Sequence, residues 1–475
     1  MAANSIPTVM IIFGATGDLM SRKIAPALYH LYRKKKLPKL FRLIGVARRP
    51  FTHEQFRALL LKSLKTHPEY HSESASAKAF LESCYYQQGS FGDTETYKSL
   101  AQTLGRVDGE WNVCSNKLFY LAVPPTHYET IFRNLSSSGL TIACGKDEGW
   151  TRVLVEKPFG NDGETAASLD KLLGSLFKEE QIYRIDHYLA KEMLQNIMSF
   201  RFSNNLLEKS WSSKYIEKIT VRILEKNSVD GRGAFYDANG ALRDVGQNHL
   251  LQMLAFVMMS QPRAFTAKAV RAKRAKILGE LKSLSAEQIK TKTYRAQYEG
   301  YRDVEGVKKN SQTETYFRVT TTIDNPTWKG VPLTLEAGKA MKSQVKEIII
   351  SFKHTSPCLC PPNAKKHYKN RVIFALEPKE KIAIHFLAKK PGLEMETEPR
   401  KIEFSYRRGR QHQFVQEYEK LLLDCIEGNQ LLFVNTDEVQ AMWSFIDPIV
   451  CAWEDGKVPL EKYKPHEVIK LKPKI

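Results

Sequence analysis

An acid, an imidazole, a phenol and an ammonium fall within one short stretch, Arg184-Ile185-Asp186-His187-Tyr188-Leu189-Ala190-Lys191. If this stretch opens an α-helix, His187 and Lys191 are four apart and share a face. Tyr188 then lies a fraction of a turn away. Such a face can grip a dianionic phosphate. Asp186 cannot favour an anion, so it needs another task. That task is supplied by a second cluster, Arg243-Asp244-Val245-Gly246-Gln247-Asn248-His249. A carboxylate from one segment and a histidine from another make an orienter and a general base. The bland reading of each cluster is a capped helix carrying ordinary surface charges. For His249 it is a structural histidine at the head of the apolar run Leu250, Leu251, Met253 and Leu254.

The elements that must position these groups begin at the N-terminus. Thr8 to Phe13 is a short apolar, β-branched run. Gly14-Ala15-Thr16-Gly17 follows, then a helix-like segment from Leu19 to Tyr32, then a second strand from Leu40 to Val46. This is a βαβ unit with a glycine turn in the context of a dinucleotide fingerprint. Glycine lets backbone N–H groups approach a pyrophosphate at the helix N-terminus. A cofactor would therefore lie along Gly14, Ala15, Thr16, Gly17, Asp18 and Leu19. By itself the pattern equally fits a plain strand-to-helix turn. The third fingerprint position is Met20, so the helix must pack differently there. After the second strand comes Ala47-Arg48-Arg49, with no acid to take a ribose 2′-hydroxyl. Guanidinium groups suit a 2′-phosphate. NADP is favoured over NAD, with Lys23 as an added cation. Further strands are expected at Lys117 to Val123 and Arg152 to Val155, and helices at Thr52 to Leu64 and Tyr128 to Leu135. Lys157, at the end of the strand closing at Val155, points into the ligand crevice. Its bond to Pro158 is a candidate cis peptide.

The chain has 475 residues, 42% hydrophobic and 26% charged, which sets a prior of two to three domains. Residues 1–185 read as a doubly wound, Rossmann-like α/β domain. Residues 186–475 read as a larger α+β domain for substrate binding and oligomerisation. Its sheet is expected to be mainly antiparallel, from the alternating stretches Ile216 to Leu224, Thr313 to Ile323, Val345 to Phe352, Val372 to Leu376 and Lys381 to Leu387. Helices are expected at Leu250 to Met259 and Phe414 to Asp424, and a basic loop at 363–371. The net charge of +20 is spread over tracts at Arg33 to Lys36, Lys268 to Lys276, Lys365 to Arg371 and Arg407 to Arg410. Nucleic-acid binding is one reading. The tracts are dispersed, so a field that attracts anionic ligands is preferred and no nucleic-acid partner is expected. No apolar run approaches the length of a membrane span, and Met1 to Pro7 lack the regions of a signal peptide. Seven cysteines form no CxxC pair. Cys358 and Cys360 lack further ligands, so no metal is expected. A reduced, cytoplasmic location is the expectation.

RIDHYLAKE (184–192), VEKPFG (155–160), RDVGQNHLLQ (243–252) and GATGDLM (14–20) stand in the chain together. As a set they resemble the glucose-6-phosphate dehydrogenase family. LFYLAVPP (118–125), WKGVPLTLEAGKAM (328–341), AKKPG (388–392) and EYEKLLLD (417–424) look like further blocks of that family. The resemblance implies oxidation of C1 of β-D-glucose 6-phosphate to the 6-phosphogluconolactone, with NADP as hydride acceptor, the entry step of the pentose phosphate pathway. It implies His249 as base and Asp186 as its partner. It assigns His187, Tyr188 and Lys191 to the phosphate, and Lys157, Glu225, Asp244 and Lys339 to sugar hydroxyls. It also implies a homodimer or homotetramer built through the second domain's sheet. There are departures. Ala190 replaces a usual glycine; Gln344 stands where a further basic residue is common, with Lys342 and Lys346 beside it; Glu336 replaces a frequent arginine. The C-terminal segment differs too, so a second, structural NADP is not expected. The alternatives are another EKP-containing NAD(P)-dependent sugar dehydrogenase and a non-catalytic ligand-binding relative.

Overall fold

The computed structural model describes residues 7–66, 75–145, 149–354, 359, 368–406 and 415–469. Six strands form the first sheet: β1 (Thr8–Phe13), β2 (Phe41–Ala47), β3 (Cys84–Gln88), β4 (Asn116–Leu121), β5 (Thr151–Glu156) and β6 (Ile182–Ile185). All pairs are parallel, in the order β3-β2-β1-β4-β5-β6. This is the doubly wound arrangement, and its reversal of direction lies between β1 and β4. Every residue of β1 and β4 is buried, as expected of central parallel strands covered by helices on both faces.

Nine strands form the second sheet. They are β7 (Ile216–Leu224), β8 (Thr293–Tyr298), β9 (Tyr316–Thr321), β10 (Leu333–Gly338), β11 (Val345–Phe352), β12 (Arg371–Glu377), β13 (Lys381–Lys389), β14 (Thr397–Ser405) and β15 (Leu460–Tyr463). Their order is β14-β13-β12-β11-β7-β10-β9-β8-β15. Most pairs are antiparallel, as the alternating stretches predict. Two are parallel, β7 with β10 and β8 with β15. Each joins strands separated by a long excursion of chain, and only such a crossover can return a strand in the same direction. Beside these strands, the helices Ala267–Gly279 and Thr436–Glu454 pack on one another. Between them lies the ion pair of Arg274 with Glu438, both fully buried. Arg184, the first residue of the octapeptide, is also buried. It pairs with Asp170 and Glu179 and donates to Thr436 Oγ1, tying β6 to the start of the last long helix.

Three local features depart from expectation. The helix after the glycine turn opens as a π-helical segment, Met20–Ile24, before the α-helix Ala25–Arg33. Pro26 has no N–H to offer the preceding turn, and the ladder widens ahead of it. The segment Leu242–Leu250 is π-helical as well and runs into the α-helix Leu251–Met258. Cys114 and Cys144 are brought side by side, with Cα atoms 6.4 Å apart, a proximity that no cysteine spacing signals. Cys358, Cys360, residues 363–367, the tract 407–410 and Phe414 lie outside the described residues. Of the basic tract 365–371, Arg371 belongs to β12. Among the described residues, no helix is long and apolar enough to cross a membrane.

Candidate active site

Asp186 follows β6 and caps the next turn: its Oδ1 accepts the Tyr188 backbone N–H at 3.0 Å. That cap closes a 3₁₀ turn, His187–Ala190, and Lys191 is extended before the α-helix Glu192–Phe202 begins. The octapeptide is therefore not one α-helix, and His187 and Lys191 do not meet by α-helical periodicity. The tight turn brings them to the same corner by another route. His249, on the π-helical segment, places Nδ1 2.6 Å from Asp186 Oδ1. The Tyr188 ring stacks on the His249 ring with centroids 3.9 Å apart, and the His187 ring meets it edge-on at 4.9 Å. With Nδ1 held by Asp186, Nε2 is the nitrogen left to take a proton.

The electrostatics suit a base. Burial, then the charge of Lys157, holds the His249 imidazole well below its usual range, so it is neutral near pH 7. Burial, then the nearby His249, does the same to His187. Asp186 is fully buried and its carboxyl is raised by that burial. One of its oxygens, Oδ2, has no protein partner.

Lys157 lies in the EKP element after β5, and its bond to Pro158 is cis, as the sequence suggests. Its Nζ donates to Asp244 O at 2.7 Å and to Asp244 Oδ1 at 3.1 Å. Burial works against ionisation of Asp244, but Lys157 and Lys339 outweigh it and hold the carboxyl at about 2. Lys339 hydrogen-bonds Glu225, and Lys346 lies 3.8 Å from the same carboxylate. On the other side, Lys191 and Lys346 each place Nζ 5.3 Å from the Tyr188 ring centroid. The lysines, acids and aromatic rings drawn from separate motifs thus form one connected cluster, with residues from both sheets.

Some members of this cluster carry no sequence signal strong enough to single them out. Glu377, at the end of β12, pairs with Lys191 at 3.3 Å and Lys346 at 3.0 Å. Glu417 pairs with Lys191 at 2.9 Å. Glu156, beside Lys157, accepts from Tyr120 Oη at 2.5 Å and Tyr418 Oη at 3.1 Å. Lone acids at strand ends and helix starts are too common to stand out, although Glu417 and Tyr418 open one block already noted as family-like and Glu156 lies in another, VEKPFG.

The cofactor side of the crevice is built by β1 and β2. Gly14 has φ of +83°, and a Cβ there would lie 2.4 Å from Ala122 O; only glycine makes this turn. Gly17 N–H closes it onto Gly14 O at 2.9 Å. Ala15 is buried, Thr16 is half-buried, and Asp18 and Lys23 are exposed. Asp18 pairs with Arg22 at 2.7 Å and does not face a ligand alone. Arg48 and Arg49 are exposed just past β2, and their backbone oxygens accept from Gln88 and Tyr86. An acid-free strand end with two guanidinium groups fits a 2′-phosphate, so the residues present suit NADP.

A doubly wound sheet with a glycine turn, joined to a cluster holding a histidine–aspartate pair and several lysines, defines a nicotinamide-dependent oxidoreductase acting on a sugar. Comparison with known proteins narrows the class. The model described as "Glucose-6-phosphate dehydrogenase, NAD binding domain" matches residues 11–196, and that of the "C-terminal domain" matches residues 198–469. The glucose-6-phosphate 1-dehydrogenase of Chlamydia muridarum is 37% identical over 94% of this chain and 90% of the relative. That of Bacillus subtilis is 33% identical over 98% and 95%. A solved glucose-6-phosphate dehydrogenase in complex with glucose 6-phosphate superposes with a TM-score of 0.90 at 31% identity, covering 99% of this chain and 96% of the other. The Mycobacterium avium enzyme superposes with a TM-score of 0.83 at 32% identity, covering 97% and 94%. The chain belongs to the glucose-6-phosphate dehydrogenase family.

Proposed function

We propose that His249 is the base of this NADP-dependent glucose-6-phosphate dehydrogenase, and that the reaction centre lies beside the Asp186–His249 pair. The observation that carries the reading is the 2.6 Å contact between a buried carboxylate and a buried imidazole, set among paired lysines. NADP, when bound, supplies the acceptor of hydride from C1 of the sugar. Everything else falls to the chain. His249 Nε2 takes the proton of the C1 hydroxyl as the hydride leaves. Asp186 holds Nδ1–H and stabilises the imidazolium so formed. Lys157, Asp244, Glu225 and Lys339 fix sugar hydroxyls, and their mutual hydrogen bonds keep these groups in place before substrate arrives. His187, Tyr188 and Lys191 face the 6-phosphate. Gly14, Ala15, Thr16, Gly17, Asp18, Leu19 and Lys23 lie along the dinucleotide, Arg48 and Arg49 take its 2′-phosphate, and Lys157 reaches toward the nicotinamide side.

On this reading residues 1–185 are the cofactor domain and residues 186–475 the substrate and oligomerisation domain. The chain acts in the cytoplasm as a homodimer or homotetramer, and a second copy would cover the apolar edge where Ile402 and Phe404 are exposed on β14. The test is absorbance of reduced cofactor with glucose 6-phosphate and NADP, run beside free glucose. Lys191→Ala is expected to raise KM for glucose 6-phosphate and to leave that for glucose little changed. Equal losses on both sugars would place Lys191 away from the phosphate.

A further inference from the structure

The corner assigned to the phosphate contains a negative charge of its own. Glu377 Oε1 sits between the two ammonium groups that flank the Tyr188 ring, 3.3 Å from Lys191 Nζ and 3.0 Å from Lys346 Nζ. Its other oxygen accepts from Gln344 Nε2 at 3.0 Å. All three donors are therefore turned toward one carboxylate. A second carboxylate, Glu417, holds Lys191 from the start of its helix at 2.9 Å. Burial disfavours the charge on Glu377, but Lys346, Gln344 and Lys191 together hold its carboxyl below the ordinary range, so it is ionised near neutral pH. A substrate phosphate needs the same ammonium groups and carries the same sign.

We propose that Glu377 is a specificity-determining residue, an internal stand-in for the phosphate that a 6-phosphate must displace from Lys191 and Lys346. The inference rests on the reading of this corner as the phosphate site and says how that site discriminates. Two like charges cannot share two ammonium groups without loss. Binding therefore either turns Glu377 out of the corner or leaves the phosphate beside it, and both routes weaken affinity for the phosphorylated sugar. A neutral 6-hydroxyl meets no such repulsion and can donate to the Glu377 carboxylate. The pocket thus separates the two sugars less sharply than Lys191 and Lys346 alone would do. Gln344 contributes by holding Glu377 in place, where a cation would compete with the phosphate's partners for it.

The experiment compares wild type, Glu377→Gln, Glu377→Ala and Lys191→Ala as full chains. KM and kcat are measured for glucose 6-phosphate and for glucose, with inorganic phosphate as a competing ligand. Gln keeps the shape and one acceptor oxygen, which can stay on the lysines while its amide N–H turns to the Gln344 carbonyl oxygen, so the charge is the main thing it removes. Either Glu377 variant is expected to lower KM for glucose 6-phosphate and the inhibition constant of phosphate about tenfold, the scale of one removed like-charge contact in a screened pocket. KM for glucose should not fall. If one variant fails to fold, the other decides. Unchanged or weaker binding of both phosphate ligands, while Lys191→Ala raises KM for glucose 6-phosphate alone, would overturn the proposal and leave Glu377 as a structural anchor of the lysines. If Lys191→Ala affects both sugars equally and does not alter phosphate inhibition, the phosphate site itself is misplaced and the proposal goes with it.

Discussion

The proton affinity of His249 is set by opposing neighbours. Asp186, in contact at 2.6 Å, and the charge of Asp244 favour the imidazolium, while burial first and then the cations Lys157, Lys346 and Lys191 disfavour it. The net direction is downward, so the acid limb of kcat/KM should fall below the range of an ordinary histidine. Activity should be retained as pH drops past about 6.5, the unperturbed value, and be lost only at lower pH. A limb at or above 6.5 would mean that the carboxylates Asp186 and Asp244 dominate. His249→Asn should cost at least about 10²-fold in kcat, the usual share of a positioned base, with KM for glucose 6-phosphate little changed. Turnover near wild type would remove His249 from the mechanism. On the proposed reading Arg48 and Arg49 address a different atom, the cofactor's 2′-phosphate. Replacing both with Ala should weaken NADP binding by about 2–3 kcal/mol, the scale of lost charge-assisted hydrogen bonds, and barely touch NAD. Equal loss of both cofactors, read by titration of binding, would show that the arginines serve the shared part of the molecule.

At the scale of elements, Glu156 joins the end of β5 to Tyr120 on β4 and to Tyr418 on the helix Glu417–Glu427. Burial pushes its carboxyl up to about 7, against the pull of both tyrosine hydroxyls and Lys157. A carboxyl raised in the native state lends stability that is full below its unfolded value near 4.5 and is lost as pH rises to about 7. Glu156→Gln imitates the protonated form and escapes that loss. Its melting temperature relative to wild type should therefore rise between pH 5 and pH 8; an equal offset at both would refute the titration. The strands that carry the site were legible because their patterns are local. β1 is a continuous apolar run and β7 alternates, and both lie where periodicity places them. The turn 187–190 was misread because Asp186 prefers capping a short turn to starting a helix, and a cap competes with periodicity within a few residues. The parallel pairing of β7 with β10 leaves no trace in either strand, since strand direction is a property of the connection. The meeting of Asp186 with His249, sixty-three residues on, was reached through motifs resembling a family; spacing alone left a capped helix open. Glu377 had no such help, because its meaning depends on Lys191 and Lys346 arriving from two other elements.

For the whole molecule, the relevant quantity is the formal charge of +20 acting on ligands that are polyanions. Little of that excess lies inside the site, where the lysines are matched by acids: Lys157 with Asp244, Lys339 with Glu225, Lys191 with Glu377 and Glu417. The substrate corner is thus closer to neutral than the chain, and the attraction of substrate comes chiefly from unpaired surface cations at longer range. Long-range attraction is screened over about 10 Å at 0.1 M salt, whereas contacts inside a closed pocket are screened far less. Raising KCl from about 0.02 to 0.5 M should therefore lower kcat/KM for glucose 6-phosphate several-fold while kcat stays nearly constant, because the field acts on encounter and not on the chemical step. Free glucose carries no charge, so its kcat/KM should be almost flat over the same range once NADP is saturating. Parallel salt curves for the two sugars would show that the basic surface does not steer substrate, and that the excess of lysine and arginine serves another surface of the molecule.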